Sequence, residues 1–164
     1  MLNILALDPA TKCGWATQYA SGTWDLSVRR DESSGMRLIR LKAKLDRIMF
    51  SGIKIEHPEL VPRLIVFEAA RHAAPKMANA LSVQSELQGV IKLFCEENGI
   101  QFRGYSPSEI KKHATGKGNA NKAAMLAAAR AKWPDKTIAD DNEADALWLL
   151  DLALSEYTVA TLDD

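Results

Sequence analysis

Short apolar runs that end in acids set the rhythm of this chain. Residues 2 to 8 (LNILALD) close on Asp8, and GWATQYA (14 to 20) and GTWDLSVRR (22 to 30) follow with turn residues between them. The pattern predicts three successive strands in an antiparallel meander, with Ser21 and Gly22 at the second reversal. From Ser34 the period changes. Leu38, Leu41, Leu45 and Ile48 mark one face of a helix whose other face carries Arg37, Arg40, Lys44 and Arg47. After a Pro-punctuated loop (His57 to Pro62), RLIVFE (63 to 68) reads as a buried strand that again ends in an acid. Met77, Leu81, Leu87, Ile91 and Phe94 line a long helix stopped by Gly99, and IQFRGY (100 to 105) is a further strand.

Ser106, Pro107 and Glu109 supply N-cap, N1 and N3 of a short basic helix. The loop TGKGNAN (115 to 121) separates it from an Ala-rich helix running to about Lys132, and a last helix starts near Asp140. The order βββαβαβ followed by helices predicts an α/β fold. Its mixed five-stranded sheet has three antiparallel strands, then parallel ones, flanked by helices. Residues 1 to 157 are expected to form one domain, and 158 to 164 a short acidic tail.

Composition narrows the classes. With 164 residues, 47% hydrophobic and 26% charged, the chain is neither disordered, collagenous nor a disulfide scaffold. Cys13 and Cys95 lack the paired spacing of a zinc or redox motif, which fits a reduced, cytoplasmic setting. The opening has no basic segment before a long apolar stretch, and no window reaches ~18 apolar residues, so neither a signal peptide nor a membrane span is expected. Net charge is zero, but its distribution is uneven. Residues 103 to 132 carry seven bases against Glu109 alone, whereas residues 133 to 164 carry nine acids against Lys136. Such a split suits a polyanion held by one segment and cations held by the next.

The acids suggest which cations. Asp8 and Glu68 end strands, and Asp141 and Asp145, four apart, project from one face of the last helix. Carboxylates gathered at neighbouring strand ends are costly to hold together unless a cation neutralises them, and hard divalent ions choose oxygen ligands of this kind. Helix capping alone would also select Asp140, Asp141 and Glu143, and Asp8-Pro9 could simply open a loop. Asp145 lies past the first turn beside Leu147, Trp148, Leu149 and Leu152, where capping does not account for it.

Four stretches carry a resemblance. ILALDPATKCGWA resembles the first motif of the RuvC family of Holliday junction resolvases, a strand ending in Asp-Pro and followed by a Gly-aromatic strand. RLIVFEAARHAAPKMANALSVQSELQGVI is similar to its second motif, YSPSEIKKHATGKGNANKAAM to its basic stretch, and DDNEADALWLLDLAL to its closing helix. The resemblance implies an RNase H-like fold, and the lack of insertions resembles the compact resolvases of phages. It implies a magnesium-dependent crossover junction endodeoxyribonuclease acting as a homodimer on branched DNA, chiefly four-way junctions, in the cytoplasm of a bacterial or phage-infected host cell. Two Mg²⁺ ions, replaceable by Mn²⁺, are implied at Asp8, Glu68, Asp141 and Asp145. Asp8 would bridge both ions, Glu68 would complete the one nearer the attacking water, and Asp145 with Asp141 would hold the other. Family spacing puts Asn142 where the fourth acid usually stands, so Asp141 is the expected ligand and Asn142 the alternative. Where the family tends to place an aromatic after the catalytic Glu, this chain offers Arg71 and His72. With Lys76, Lys111, Lys112, Lys117 and Lys122, these are the expected DNA contacts.

Other substrates fit the same acids: flaps, forks or RNA-containing hybrids. LALDPAT also resembles the phosphate loop of actin-like ATPases, but those enclose a nucleotide between two such domains, so no nucleotide cofactor is expected. Asn142 leaves room for a DNA-binding relative without activity. The long helix shows apolar positions beyond its core stripe (Ala78, Val83, Val90, Leu93) and is the expected dimer interface.

Overall fold

A computed structural model describes residues 2–50, 57–70 and 78–160. Five strands form one mixed sheet: β1 (Ile4–Asp8), β2 (Lys12–Ala16), β3 (Ser21–Asp25), β4 (Leu64–Glu68) and β5 (Gln101–Tyr105). Helix α1 (Gly35–Phe50) follows β3, α2 (Ala78–Asn98) follows β4, and α3 (Pro107–Thr115), α4 (Lys122–Lys132) and α5 (Asp141–Ala160) complete the described chain. Helix α5 carries the fold to Ala160, and residues 161 to 164 lie outside the described residues. No helix among the described residues is long and apolar enough to cross a membrane.

The sheet order is β3-β2-β1-β4-β5, with β1 antiparallel to β2 and parallel to β4. Every chemistry-bearing strand therefore ends at the same edge. The second reversal lies at residues 17 to 20, ahead of Ser21 and Gly22: the Thr17 amide donates to the Ala20 carbonyl over 2.8 Å, and Ala20 N–H donates back to the Thr17 hydroxyl over 3.1 Å. A Thr side chain thus closes the turn, which leaves Ser21 and Gly22 paired with Ala16 and Trp15 in the ladder. Strand β3 stops at Asp25 because that carboxylate takes the amide of Ser27 over 2.9 Å.

Strands β1 and β4 are buried on both faces and alternate between two cores. Ile4, Ala6, Leu64 and Val66 face α3, α4 and α5, where they meet Ile110, Met125, Ala144, Leu147 and Trp148. Leu5, Leu7, Ile65 and Phe67 face α1 and α2, against Leu41, Leu45, Leu87, Ile91 and Phe94. Because side chains alternate with period two along a strand, Asp8 and Glu68 continue the first set and turn toward the α5 face. The Trp residues pack in pairs: Trp15 stacks on Trp24 at 5.5 Å, and Trp133 leans on Trp148 at 4.8 Å.

Candidate active site at the acidic edge of the sheet

Strand register brings the first two acids side by side. Leu7 pairs with Phe67 in the parallel ladder, so Asp8 and Glu68 follow in step at the carboxyl ends of adjacent strands. The end of β4 is held by α2, since Gln88 Nε2 donates to the Glu68 carbonyl over 3.1 Å and Gln84 Nε2 reaches it at 3.5 Å. Gln88 is buried, an expensive place for an amide unless it is satisfied. Sequence reasoning passed over it. Its only signal is a polar residue at an inward position of an otherwise apolar helix stripe.

The last helix arrives by a close approach. Asp8 pairs with Gly14 across β1 and β2, and a Cβ built on Gly14 would stand 1.9 Å from the Asn142 backbone oxygen. Only a residue without a side chain lets the first turn of α5 lie against the strand beside Asp8. Two further ties fix this end of α5. Asp140 caps it, accepting the amide of Glu143 over 2.9 Å and the hydroxyl of Thr23 over 2.8 Å. Glu143 accepts the Ser21 hydroxyl over 2.7 Å and the Ala139 amide over 2.8 Å. Both acids are therefore structural, bolting the helix to β3, as capping would select.

Asp141 and Asp145 are spent on neither task. Burial, then the charges of Glu68 and Asp145, hold the Asp8 carboxyl well above the usual carboxylate range, with Asp141 adding to the effect and Lys122 opposing it. Burial and the charge of Asp141 push Asp145 up to about 6, while Lys122 and Lys111 pull it back. Asp141 moves the other way, because Lys122 Nζ hydrogen-bonds its Oδ2 at 2.7 Å. The charges of all four acids thus meet at Asp8. The neighbouring Cys13 thiol is also raised far above its ordinary value, by burial and then by Asp8, and so stays protonated.

This is an all-oxygen donor set under mutual repulsion in a partly dry setting, which suits a hard divalent cation and no soft one. Among the described residues no three His, Cys, Asp or Glu side chains stand close enough together, as placed, to hold a metal ion. Asn142 has its backbone pressed on Gly14.

The expected DNA contacts divide. Lys122 is 78% exposed at the start of α4, Lys117 is exposed in the preceding loop, and Lys111 and Lys112 lie on α3. Arg71, His72 and Lys76 lie outside the described residues. Gly116, at φ 78°, is the left-handed cap that ends α3, and the Thr115 hydroxyl takes the Lys117 amide over 3.2 Å, so this loop is anchored at its start. His113 turns elsewhere and pairs with Asp151 at 2.7 Å, an acid that also binds Lys132 at 2.6 Å.

Comparison with known proteins gives one family. Residues 4–150 match the family model described as crossover junction endodeoxyribonuclease RuvC. The chain is similar to the crossover junction endodeoxyribonuclease RuvC of Brachyspira hyodysenteriae, 41% identical over 63 residues that make up 38% of this chain and 39% of that protein. It is also similar to that of Mycobacterium bovis, 30% identical over 158 residues, covering 89% of this chain and 79% of the relative. Among solved structures, the fold superposes on T. thermophilus RuvC in complex with Holliday junction substrate with a TM-score of 0.67 and 16% identity, over 96% of this chain and 95% of that one.

Proposed function

The chain belongs to the RuvC family of crossover junction endodeoxyribonucleases, and from that premise we propose that it resolves four-way DNA junctions by metal-dependent phosphodiester hydrolysis, placing paired nicks as a homodimer. The observation that supports this reading is geometric: the parallel register sets Asp8 and Glu68 side by side at adjacent strand ends, the close approach at Gly14 seats the first turn of α5 beside Asp8, and burial followed by the charges of Glu68, Asp145 and Asp141 holds the half-buried Asp8 carboxyl above its usual range against the pull of Lys122. No structural role explains four acids set against one another in this way, whereas divalent-cation binding does.

Asp8, Glu68, Asp145 and Asp141 would hold two Mg²⁺ ions, with Mn²⁺ able to substitute; Asn142 could add a carbonyl oxygen but no charge. When bound, such ions activate water, neutralise charge on the phosphoryl group in the transition state and stabilise the leaving 3′ oxygen. The protein's own part is positioning. The strand ends hold Asp8 and Glu68 in step, and Gly14 admits the turn that carries Asp141 and Asp145. Lys122 brings a cation to the same edge, where it meets a scissile-strand phosphate. Lys117, Lys111 and Lys112 extend the positive surface along the backbone. Of the apolar positions expected beyond the core stripe of α2, Val83 and Val90 pack on the core and Leu93 is exposed, 59% accessible; with Ile39 on the adjoining α1, 60% accessible, it would supply the apolar part of the dimer contact. An enzyme acting on cellular or phage DNA works in the cytoplasm of a bacterial or infected host cell.

The test is cleavage of a labelled four-way junction with and without Mg²⁺, beside duplex, flap and hybrid controls, with Asp8→Asn and Glu68→Gln as variants. Symmetric nicks on the junction that need the metal, lost in both variants while junction binding stays intact or strengthens, support the reading. Cutting retained by either variant in Mg²⁺ overturns the assignment, and preference for flaps or hybrids would move the substrate.

A further inference from the structure

The lysines lie on or between helices that cover one face of the sheet. Strand β3 ends at the same edge and leads to α1 on the opposite face: Lys12 pairs with Asp25 in the ladder, and the Leu26 amide donates to the Thr11 carbonyl over 2.8 Å, three residues beyond Asp8. The loop after β3 and the first turns of α1 therefore border the acidic edge. The far end of α1, with Ile48, lies instead by Asn3 and Ile4, where β1 begins.

That bordering loop is built and held. Arg40 binds both carboxylate oxygens of Glu32, at 2.6 and 2.8 Å, and donates to the Ser27 carbonyl over 2.8 Å. Glu32 also takes the Arg29 amide over 2.7 Å. Arg40 and Glu32 thus satisfy each other and fix the backbone that carries Arg29 and Arg30, both exposed. Arg37 stands one turn before Arg40 on the same helix face.

Two features of Arg37 have no purely structural account. It occupies the first turn of α1, which has no acid, and a cation there opposes the helix dipole. Its Nε is buried without a hydrogen-bond partner, the one such side-chain atom among the described residues. A desolvated donor with nothing to bond is unfavourable until an acceptor arrives. Lys12 is paired with Asp25 at 2.6 Å and Arg40 with Glu32, which leaves Arg29, Arg30 and Arg37 against Asp31 as the local charge.

We propose that Arg29, Arg30 and Arg37 form a second site for DNA backbone phosphates, at the β3 end of the acidic edge and on the α1 face of the sheet, so that the substrate is gripped from both faces of that edge. A phosphate at the partly exposed Arg37 guanidinium would draw the side chain out of this unpartnered position and give Nε an acceptor, and the Arg40–Glu32 pair keeps the loop in place to receive it. This inference rests on the junction-nuclease reading and assigns where one arm of the substrate lies.

The test is equilibrium binding of a fluorescent four-way junction in EDTA, where nothing is cut, at several salt concentrations. The variants are Arg29→Ala with Arg30→Ala, then Arg37→Ala, then Arg47→Ala in the last turn of α1 as a charge-matched control. The double variant is expected to bind about tenfold more weakly near 0.1 M salt and to lose about two from the slope of log K against log salt, and Arg37→Ala to lose about one. Arg47→Ala should keep both values. The exposed pair tests the site even if Arg37→Ala fails to fold. A parent protein that binds no junction overturns the nuclease reading and this one with it. A parent that binds while the double variant keeps its slope, or an Arg47→Ala loss as large, overturns this site alone.

Discussion

Lys122 Nζ lies 2.7 Å from Asp141 Oδ2, joining the first residue of α4 to the first residue of α5. On the proposed function one cation serves two ends, since the same ammonium would attract a phosphate to the acidic edge and compete with any metal ion at Asp141. Lys122→Ala is expected to weaken junction binding while tightening Mn²⁺ binding to the DNA-free protein, because a positive charge leaves the acid cluster. Cleavage should fall on the order of 10- to 100-fold. Calorimetric titration of Mn²⁺ checks it, and weaker metal binding in the variant would refute the competition.

Asp141 and Asn142 are the two candidates for the fourth position of the proposed metal set. If Asp141 holds that place, Asp141→Asn costs much more cleavage than Asn142→Ala, because only the former removes a charge that acts on Asp8 and Asp145. Single-turnover rates in saturating Mg²⁺ decide it, and the reverse order would return the role to Asn142.

The acids also set a pH dependence in the metal-free protein. Asp145 is raised to about 6 from its ordinary 3.8. Between these values the folded state holds more protons than the unfolded state, so this group's contribution to stability falls as pH rises through the window. Asp8 acts in the same direction, while Asp141, lowered by Lys122, opposes them. Asp145→Asn should therefore stabilise the metal-free protein above pH 6 by on the order of 2–3 kcal/mol, and change little near pH 4. Urea unfolding in EDTA at the two pH values measures it. A variant less stable than its parent at pH 7 would contradict the reading.

Gly14 is the hinge of the assembly. Gly14→Ala places a methyl group where the Asn142 oxygen lies, and the helix must move to admit it. The expected cost is about 1–3 kcal/mol of stability, with cleavage reduced further than stability alone explains. Gly22→Ala meets only the edge of the Trp15 ring at 3.1 Å and should be milder in both respects. Thermal melts and cleavage rates of the two variants compare them.

Dimerisation has its own readout. Leu93→Glu, or Ile39→Glu with it, puts charge at the exposed apolar side chains of α2 and α1 and should shift the sedimenting species from dimer to monomer at micromolar concentration. Paired nicking should then give way to single nicks. A parent that sediments as a monomer and stays so on junction DNA would remove the paired-nick mechanism.

Much of this architecture was legible in the residues, and the rest was not for identifiable reasons. Alternation and helical period placed β1, β4 and α1, because both faces of the strands and one face of the helix are buried and burial selects the pattern. Ser106, Pro107 and Glu109 marked the start of α3, since capping is a local interaction, and both hydrogen bonds of the box are present. The turn after β2 was misplaced, because a Thr hydroxyl at position 17 does the work that Ser21 and Gly22 advertised. The acids were visible as a set, but their division of labour was not. Asp140 and Glu143 bind Thr23 and Ser21 across more than a hundred residues, and no local rule reports such partners. Gln88 and Gly14 escaped for the same reason, as each is explained only by a backbone segment distant in sequence.

The contact of α5 with β2 has a consequence for the life of the molecule. Asp8 and Asp141 are 133 positions apart, and α5 also supplies Ala144, Leu147, Trp148 and Leu149 to one of the two cores. A growing chain on the ribosome makes α5 last of the described helices, and until α5 docks, the part of that sheet face it covers beside α3 and α4 stays open. On the proposed metal set, completing the fold and completing that set are one event. A molecule unable to seat its final helix would then lack two of the four acids proposed to hold the metal.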